Sequence, residues 1–157
     1  MAIVPDVTSD IMKGIYTALI ADDTATPSLA FGTDLQQLMG VTSGDFVNHI
    51  YSSYPPVSDK ILPFISFHKT GTPTQFGVRD SETFKFIVTT RGIRSNLFNI
   101  LSRVNLIITR TFAMPSGSLF TLQGRPYKVS ETGEVFEESD GTFNAGSEIT
   151  FDIFRTF

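Results

Sequence analysis

Between Ser95 and Phe112 the apolar residues Leu97, Ile100, Leu101, Val104, Ile107, Ile108 and Phe112 recur at steps of three and four. That spacing predicts one long helix over Ser95–Thr111, with Ser95 or Asn96 as its cap and a continuous apolar stripe along one side. Such a stripe needs a flat apolar surface to lie on. Burying most of it contributes about 10 kcal/mol before chain entropy is counted. The surface is written just upstream. From Glu82 to Thr90 the residues alternate, with Phe84, Phe86 and Val88 on one face and Thr83, Lys85, Ile87 and Thr89 on the other. The first face is expected to meet the core and the second to be largely wet.

A second helix is expected near the N-terminus. Asp6, Thr8 or Ser9 can cap it, Val7, Ile11, Met12, Ile15, Ala18 and Leu19 share one side, and it should end near Asp22-Asp23. From 24 to 54 the signal is weak and punctuated by Pro27, Gly32, Gly40 and Gly44. This stretch reads as an irregular arm, with one helical turn at Leu35–Met39 and a short strand over Phe46–Tyr51. A connection this long inside a compact domain suggests a functional segment, here an arm that reaches a neighbour.

Tyr54-Pro55-Pro56 forces extended backbone. A strand follows over Ile61–His68, with Pro63 marking an edge or a bulge. The polar, Thr-rich stretch 69–81 reads as a long hairpin loop. After the long helix, Pro115-Ser116-Gly117 turns the chain. Short strands are expected at Leu119–Gln123, Pro126–Glu131 and Glu134–Glu138. Ser139-Asp140-Gly141-Thr142 has Asp-Gly turn chemistry, and a last strand runs over Ser147–Thr156. This order gives an α+β fold: an antiparallel or mixed sheet with two helices packed on one face, a long hairpin and an irregular arm, all in a single domain, 1–157.

The composition excludes several functions. There is no cysteine, hence no disulfide, thiolate metal site or Cys nucleophile. With a net charge of −4 and no basic run, the footprint of a nucleic-acid binder is missing. No apolar stretch is long enough to span a membrane, and Met1–Asp10 does not read as a signal peptide. Charged residues are sparse at 18% while Phe numbers 15, the balance of a chain with buried interfaces or an aromatic-rich core. His49 and His68 have neither metal-pair spacing nor a carboxylate nearby in sequence. Glu131, Glu134, Glu137, Glu138 and Asp140 form the densest acidic group, but without calcium-loop spacing. No catalytic residue, cofactor or metal is therefore assigned, and no enzymatic activity is expected.

The candidate functional residues are those of interfaces. Phe76 and Arg79 lie in the long hairpin. Arg103, Leu106 and Arg110 fall on the polar side of the long helix. Glu137 and Glu138 belong to the acidic hairpin, and Phe157 leaves an aromatic at the terminus.

Several strings meet a known family in order: Asp6-Val7-Thr8-Ser9-Asp10-Ile11, then Tyr54-Pro55-Pro56 before Leu62-Pro63-Phe64-Ile65-Ser66-Phe67. Phe84-Lys85-Phe86-Ile87-Val88 stands ahead of the long helix. Gly124-Arg125-Pro126-Tyr127-Lys128-Val129 and Ile149-Thr150-Phe151-Asp152-Ile153 follow it. In layout and size the chain resembles the tail-terminator, or tail-completion, proteins that join head to tail in long-tailed bacteriophages; the arm is longer than that family has. The resemblance implies a homo-oligomeric ring, usually a hexamer, in the tail of a virion assembled in the host cytoplasm. Its partners would be the tail-tube protein and a head-connector or stopper protein, and DNA would pass its channel without specific binding. Two other readings stay open. One is a different neck or tail-tube subunit. The other is a small α+β ligand-binding or enzymatic domain, for which His49, His68 and the acidic hairpin would be the only candidates.

Overall fold

In the computed structural model, residues 6–52, 62–70, 74–76, 79–91, 94–131, 136–137 and 141–155 are described. Two long strands form the spine. Strand β4 (Arg79–Arg91) pairs antiparallel with β8 (Thr142–Arg155) without a break, from Arg79 opposite Phe154 to Arg91 opposite Thr142. Short strands line both outer edges. On the β4 side lie β2 (Phe64–Lys69) and β3 (Thr74–Phe76), and β1 (Ile50–Tyr51) adds to β2 in parallel. On the β8 side lie β5 (Phe120–Leu122), β6 (Tyr127–Glu131) and β7 (Phe136–Glu137). The sheet is mixed and the fold is α+β.

One face carries the core. Phe84, Phe86 and Val88 are fully buried, as their alternation requires, beside Ile65, Phe67, Ile149, Phe151 and Ile153. Helix α1 (Val7–Ile20) and helix α4 (Arg94–Thr111) join the same apolar cluster. The stripe of α4 is buried as its spacing predicts, from Leu97 to Ile108. Rings interlock around the end of α4: Phe112 meets Phe151 at 4.8 Å and Phe84 meets Phe151 at 5.7 Å between centroids. Gly14 lets α1 approach, because a Cβ there would stand 2.6 Å from Phe112 Cε2 and 2.7 Å from the Ala113 carbonyl. Asp6 caps α1 by accepting the Thr8 N–H at 3.0 Å. The Thr8 hydroxyl donates to the buried Glu82 carboxylate at 2.8 Å and ties that end to β4. Asn96 is not a cap. It lies inside α4, where its amide donates to the Leu38 carbonyl at 2.9 Å.

The other face is the more polar one. Thr83 and Thr150 share a hydroxyl hydrogen bond at 2.8 Å, and Ser81 donates to Asp152 at 2.8 Å. It is less wet than expected, since Thr89 is buried.

Three expectations are corrected. The stretch 24–54, read as an arm, folds back onto the body as far as it is described. It contains α2 (Leu35–Met39), α3 (Ser43–Phe46), a 3-10 turn (Val47–His49) and β1, and it places Leu35, Met39, Phe46 and Ile50 in the core. The helical turn expected at Leu35–Met39 is present as α2, but α3 and the 3-10 turn stand where a strand from Phe46 was expected and leave only Ile50–Tyr51 as strand, because turns this short show no period. The stretch 69–81 is not simply a loop: β3 and the start of β4 continue the sheet there, with Phe76 opposite Arg79. The last strand is also longer than expected and begins at Thr142, after Gly141, whose φ of +81° suits the turn.

Candidate assembly surface

The most elaborate surface feature begins with a buried ion pair. Asp22, just past α1, is fully buried, and Arg103 of α4 is 4% exposed. The Arg103 Nε–H donates to Asp22 Oδ2 at 2.7 Å, and one terminal N–H donates to Oδ1 at 2.9 Å. The same carboxylate accepts the backbone N–H groups of Ser28 and Leu35, both at 2.8 Å. Four donors saturate it. Burial pushes its pKa up, but the Arg103 hydrogen bond, the two backbone donors and the Arg103 charge together outweigh burial and leave it below the ordinary value. Arg103 was expected on the solvent side of the helix. It is instead an internal tie, because Asp22 supplies the counter-charge that lets it be buried.

That tie shapes residues 23–34 into a fixed loop. Asp23 accepts the Thr26 N–H at 2.6 Å, and Asp34 caps α2 through the Gln37 N–H at 2.9 Å. The second terminal nitrogen of Arg103 donates to the Phe31 carbonyl at 2.7 Å. Gly32, with φ +75°, turns the chain beside that guanidinium. The product is Phe31, 50% exposed, held over the outer side of α4. Its ring lies under the Arg110 guanidinium, 5.4 Å from the centroid. A shallow groove of about 300 Å³ runs beside it, bordered by Leu38, Asn99, Ser102 and Leu106. Leu106 and Arg110 are thus brought together around Phe31, a residue the sequence reading passed over. Its only signal was an isolated aromatic in a polar, glycine-containing stretch.

Two further surfaces expose apolar side chains. Strand β6 is solvent-exposed along its whole length, with Tyr127 at 46% and Val129 at 51%. A bulge between Lys128 and Ser130 takes Val129 out of the ladder to β8. Lys128 pairs with Glu131 at 2.6 Å. Partial desolvation, then the charge and hydrogen bond of Asp152, raises the Tyr127 phenol above its ordinary pKa. At the other end of the strand order, Val47 is 40% exposed and sits beside the exposed Asp45 and Asn48. A second groove, about 430 Å³, lies beside α1 between Met12, Tyr16 and Phe67.

The remaining sequence candidates fall elsewhere. Phe76 and Arg79 are register partners where β3 pairs with β4, and Glu137 is the register partner of Phe143 where β7 pairs with β8. Glu138 and Phe157 lie outside the described residues. The histidines serve separate elements: His49 is buried and donates from Nδ1 to the Pro63 carbonyl at 2.6 Å, while His68 stands opposite Lys85 on β2. Strand β2 is separated from β6 by β4 and β8, so His68 and Glu131 do not converge. Among the described residues no three of His, Cys, Asp and Glu are grouped as a metal ion would need, and no helix is long and apolar enough to cross a membrane.

No family model and no curated protein matches the sequence. Among solved structures, the fold is similar to that of a chain in the virion of a native gene transfer agent particle. The TM-score is 0.64 at 13% identity, over 94% of this chain and 97% of that one.

Proposed function

We propose that this chain is a non-enzymatic structural subunit of a phage-like particle, and within it a tail terminator. About six copies would close into a ring at the head-proximal end of the tail tube, stop its polymerisation and present a surface to the head connector or stopper. The observation that carries the reading is the fold shared with a virion chain over nearly the whole length of both. The distribution of polar groups supports it. The Asp22–Arg103 and Thr8–Glu82 contacts hold elements in place, while exposed apolar groups such as Phe31, Val47, Tyr127 and Val129 are left on the outside. On this reading they are side chains that contact other chains. A net charge of −4 suits a channel that lets DNA pass without gripping it.

The test is to add the purified chain to polymerising tail-tube protein from the same particle. A terminator ends elongation when present in small amounts and is found by imaging at one tube end only. Incorporation along the whole tube would assign the chain to the tube instead, and no association with tubes would remove it from the tail.

A further inference from the structure

We infer that residues 23–33 are a strap that opens from the outer side of α4 as a unit while the rest of the chain stays folded. The strap is a compact loop whose ends meet. Asp22 before it and Asp34 after it are both buried, and the Gln36 N–H donates to the Asp22 carbonyl at 3.4 Å. Between the two there is neither helix nor strand. Surface loops closed at their base in this way are frequently functional segments.

Its hold on the body is polar throughout. None of its residues belongs to the apolar core or packs against it. Pro27 and Phe31 are exposed and Leu29 is partly buried. Thr24 is tied to the start of α2, its N–H donating to Gln36 at 2.9 Å and its hydroxyl to Asp34 at 3.2 Å. Thr26 bonds only within the strap, to Asp23. The Ser28 N–H donates to Asp22, the Phe31 carbonyl accepts from Arg103, and the Phe31 ring sits under Arg110. Beyond Thr24, every catch on the body is therefore a side chain of Asp22, Arg103 or Arg110.

Opening costs less than unfolding the body. Buried apolar contacts are what make an element part of the cooperative whole, and the strap adds none to the core. Water can take the place of each hydrogen bond it gives up. The Asp22–Arg103 pair keeps its two mutual bonds when the strap leaves, and its charges gain hydration. Gly32, at φ +75°, gives the backbone freedom beside the catch. Opening also removes one wall of the groove over α4, since Phe31, Gly32 and Thr33 line it together with Asn99, Ser102 and Leu106. The strap thus switches that surface between two shapes, and a partner that fits one of them better shifts the balance toward it.

Two amides report on the motion. Ser28 and Leu35 donate to the same carboxylate at the same distance, 2.8 Å. Ser28 lies in the strap, whereas Leu35 begins α2 and is fully buried in the core. Hydrogen exchange of the full chain, followed by NMR and corrected for intrinsic rates, is expected to show Ser28 exchanging at least about tenfold faster than Leu35 and with little dependence on urea. Arg110 is exposed, so Arg110→Ala removes the catch on the ring and leaves the core untouched. It should raise Ser28 exchange about two- to fivefold, the equivalent of an exposed cation–π contact, and leave Leu35 unchanged. A Ser28 amide that exchanges no faster than Leu35 would overturn the inference, because the strap would then open only with the whole fold. Ser28 exchange that Arg110→Ala does not alter would overturn it too, because the strap would not be held through α4. Neither outcome bears on the proposed place in a particle, which the tube experiment decides separately.

Discussion

Arg103 and Asp22, 81 positions apart in sequence, form a two-point ion pair in which neither side chain reaches solvent appreciably. Removing one partner of such a pair leaves the other as an uncompensated buried charge, which costs about 3–5 kcal/mol. Arg103→Met is therefore expected to destabilise the fold by that amount, measured by denaturant unfolding. Arg103→Met combined with Asp22→Leu should cost less than the sum of the two single changes, since no orphan charge remains, although the Ser28 and Leu35 N–H groups lose their acceptor. Additive losses would show that the pair is not coupled.

The same pair sets a response to acid. The Asp22 pKa is lower in the folded chain than its ordinary value of 3.8. A depressed carboxylate contributes stability that is complete above the unfolded pKa and is lost as pH falls through the folded one. The stability contributed by Asp22 should thus be full and independent of pH near neutrality and begin to fall below about pH 4. Unfolding curves against pH should show a shallower acid limb for Asp22→Asn than for the native chain.

Gly14 offers a test in which helix propensity and packing point in opposite directions. Alanine favours a helix interior over glycine by about 1 kcal/mol. At this position its Cβ would meet the Phe112 ring and, less forgivingly, the Ala113 backbone carbonyl at 2.7 Å. Overpacking of this kind costs about 1–3 kcal/mol. Gly14→Ala should lower the unfolding midpoint, and a rise would mean that α1 and the residues after α4 can separate more easily than the contact distances suggest.

Phe31 and Arg110 should matter little to stability. The ring is half exposed, and an exposed cation–π contact is worth about 0.5–1 kcal/mol. Phe31→Ala is expected to change unfolding stability by no more than about 1 kcal/mol. If the surface over α4 binds a neighbour or the tube, the same variant should reduce assembly strongly at unchanged fold. A variant that unfolds would return Phe31 to a structural role.

The parts of this fold that follow a period are legible in the sequence. The α4 stripe, the Phe84-Phe86-Val88 face and the closing strand through Ile149, Phe151 and Ile153 all declare their buried side, because a one-residue shift would turn each apolar set outward. What escaped was decided by single long-range partners. Arg103 reads as a polar-side residue until Asp22 is known to stand beside it. A weak clue existed, since Arg103 lies three residues after Ile100 and four before Ile107, on the rim of the stripe. The turn at Leu35–Met39 is legible from its apolar residues, whereas Ser43–His49 reads as loop and strand because its helices are one turn long and start from a cap at Thr42, not from a repeat. Surface candidates fared unevenly for a similar reason. Leu106 and Arg110 could be placed on the outer side of α4 by helical spacing, but Phe31 reaches them only because a loop is tied down by a residue 81 positions from its partner.

On the proposed function, the exposed apolar groups of this chain meet other copies of itself. Native mass spectrometry across a concentration series, with negative-stain images of the same samples, tests it most directly. The expected result is a shift from single or loosely associated chains to closed rings of about six copies, with no larger species. A chain that stays a single subunit at every concentration, or that grows without closing, would contradict it.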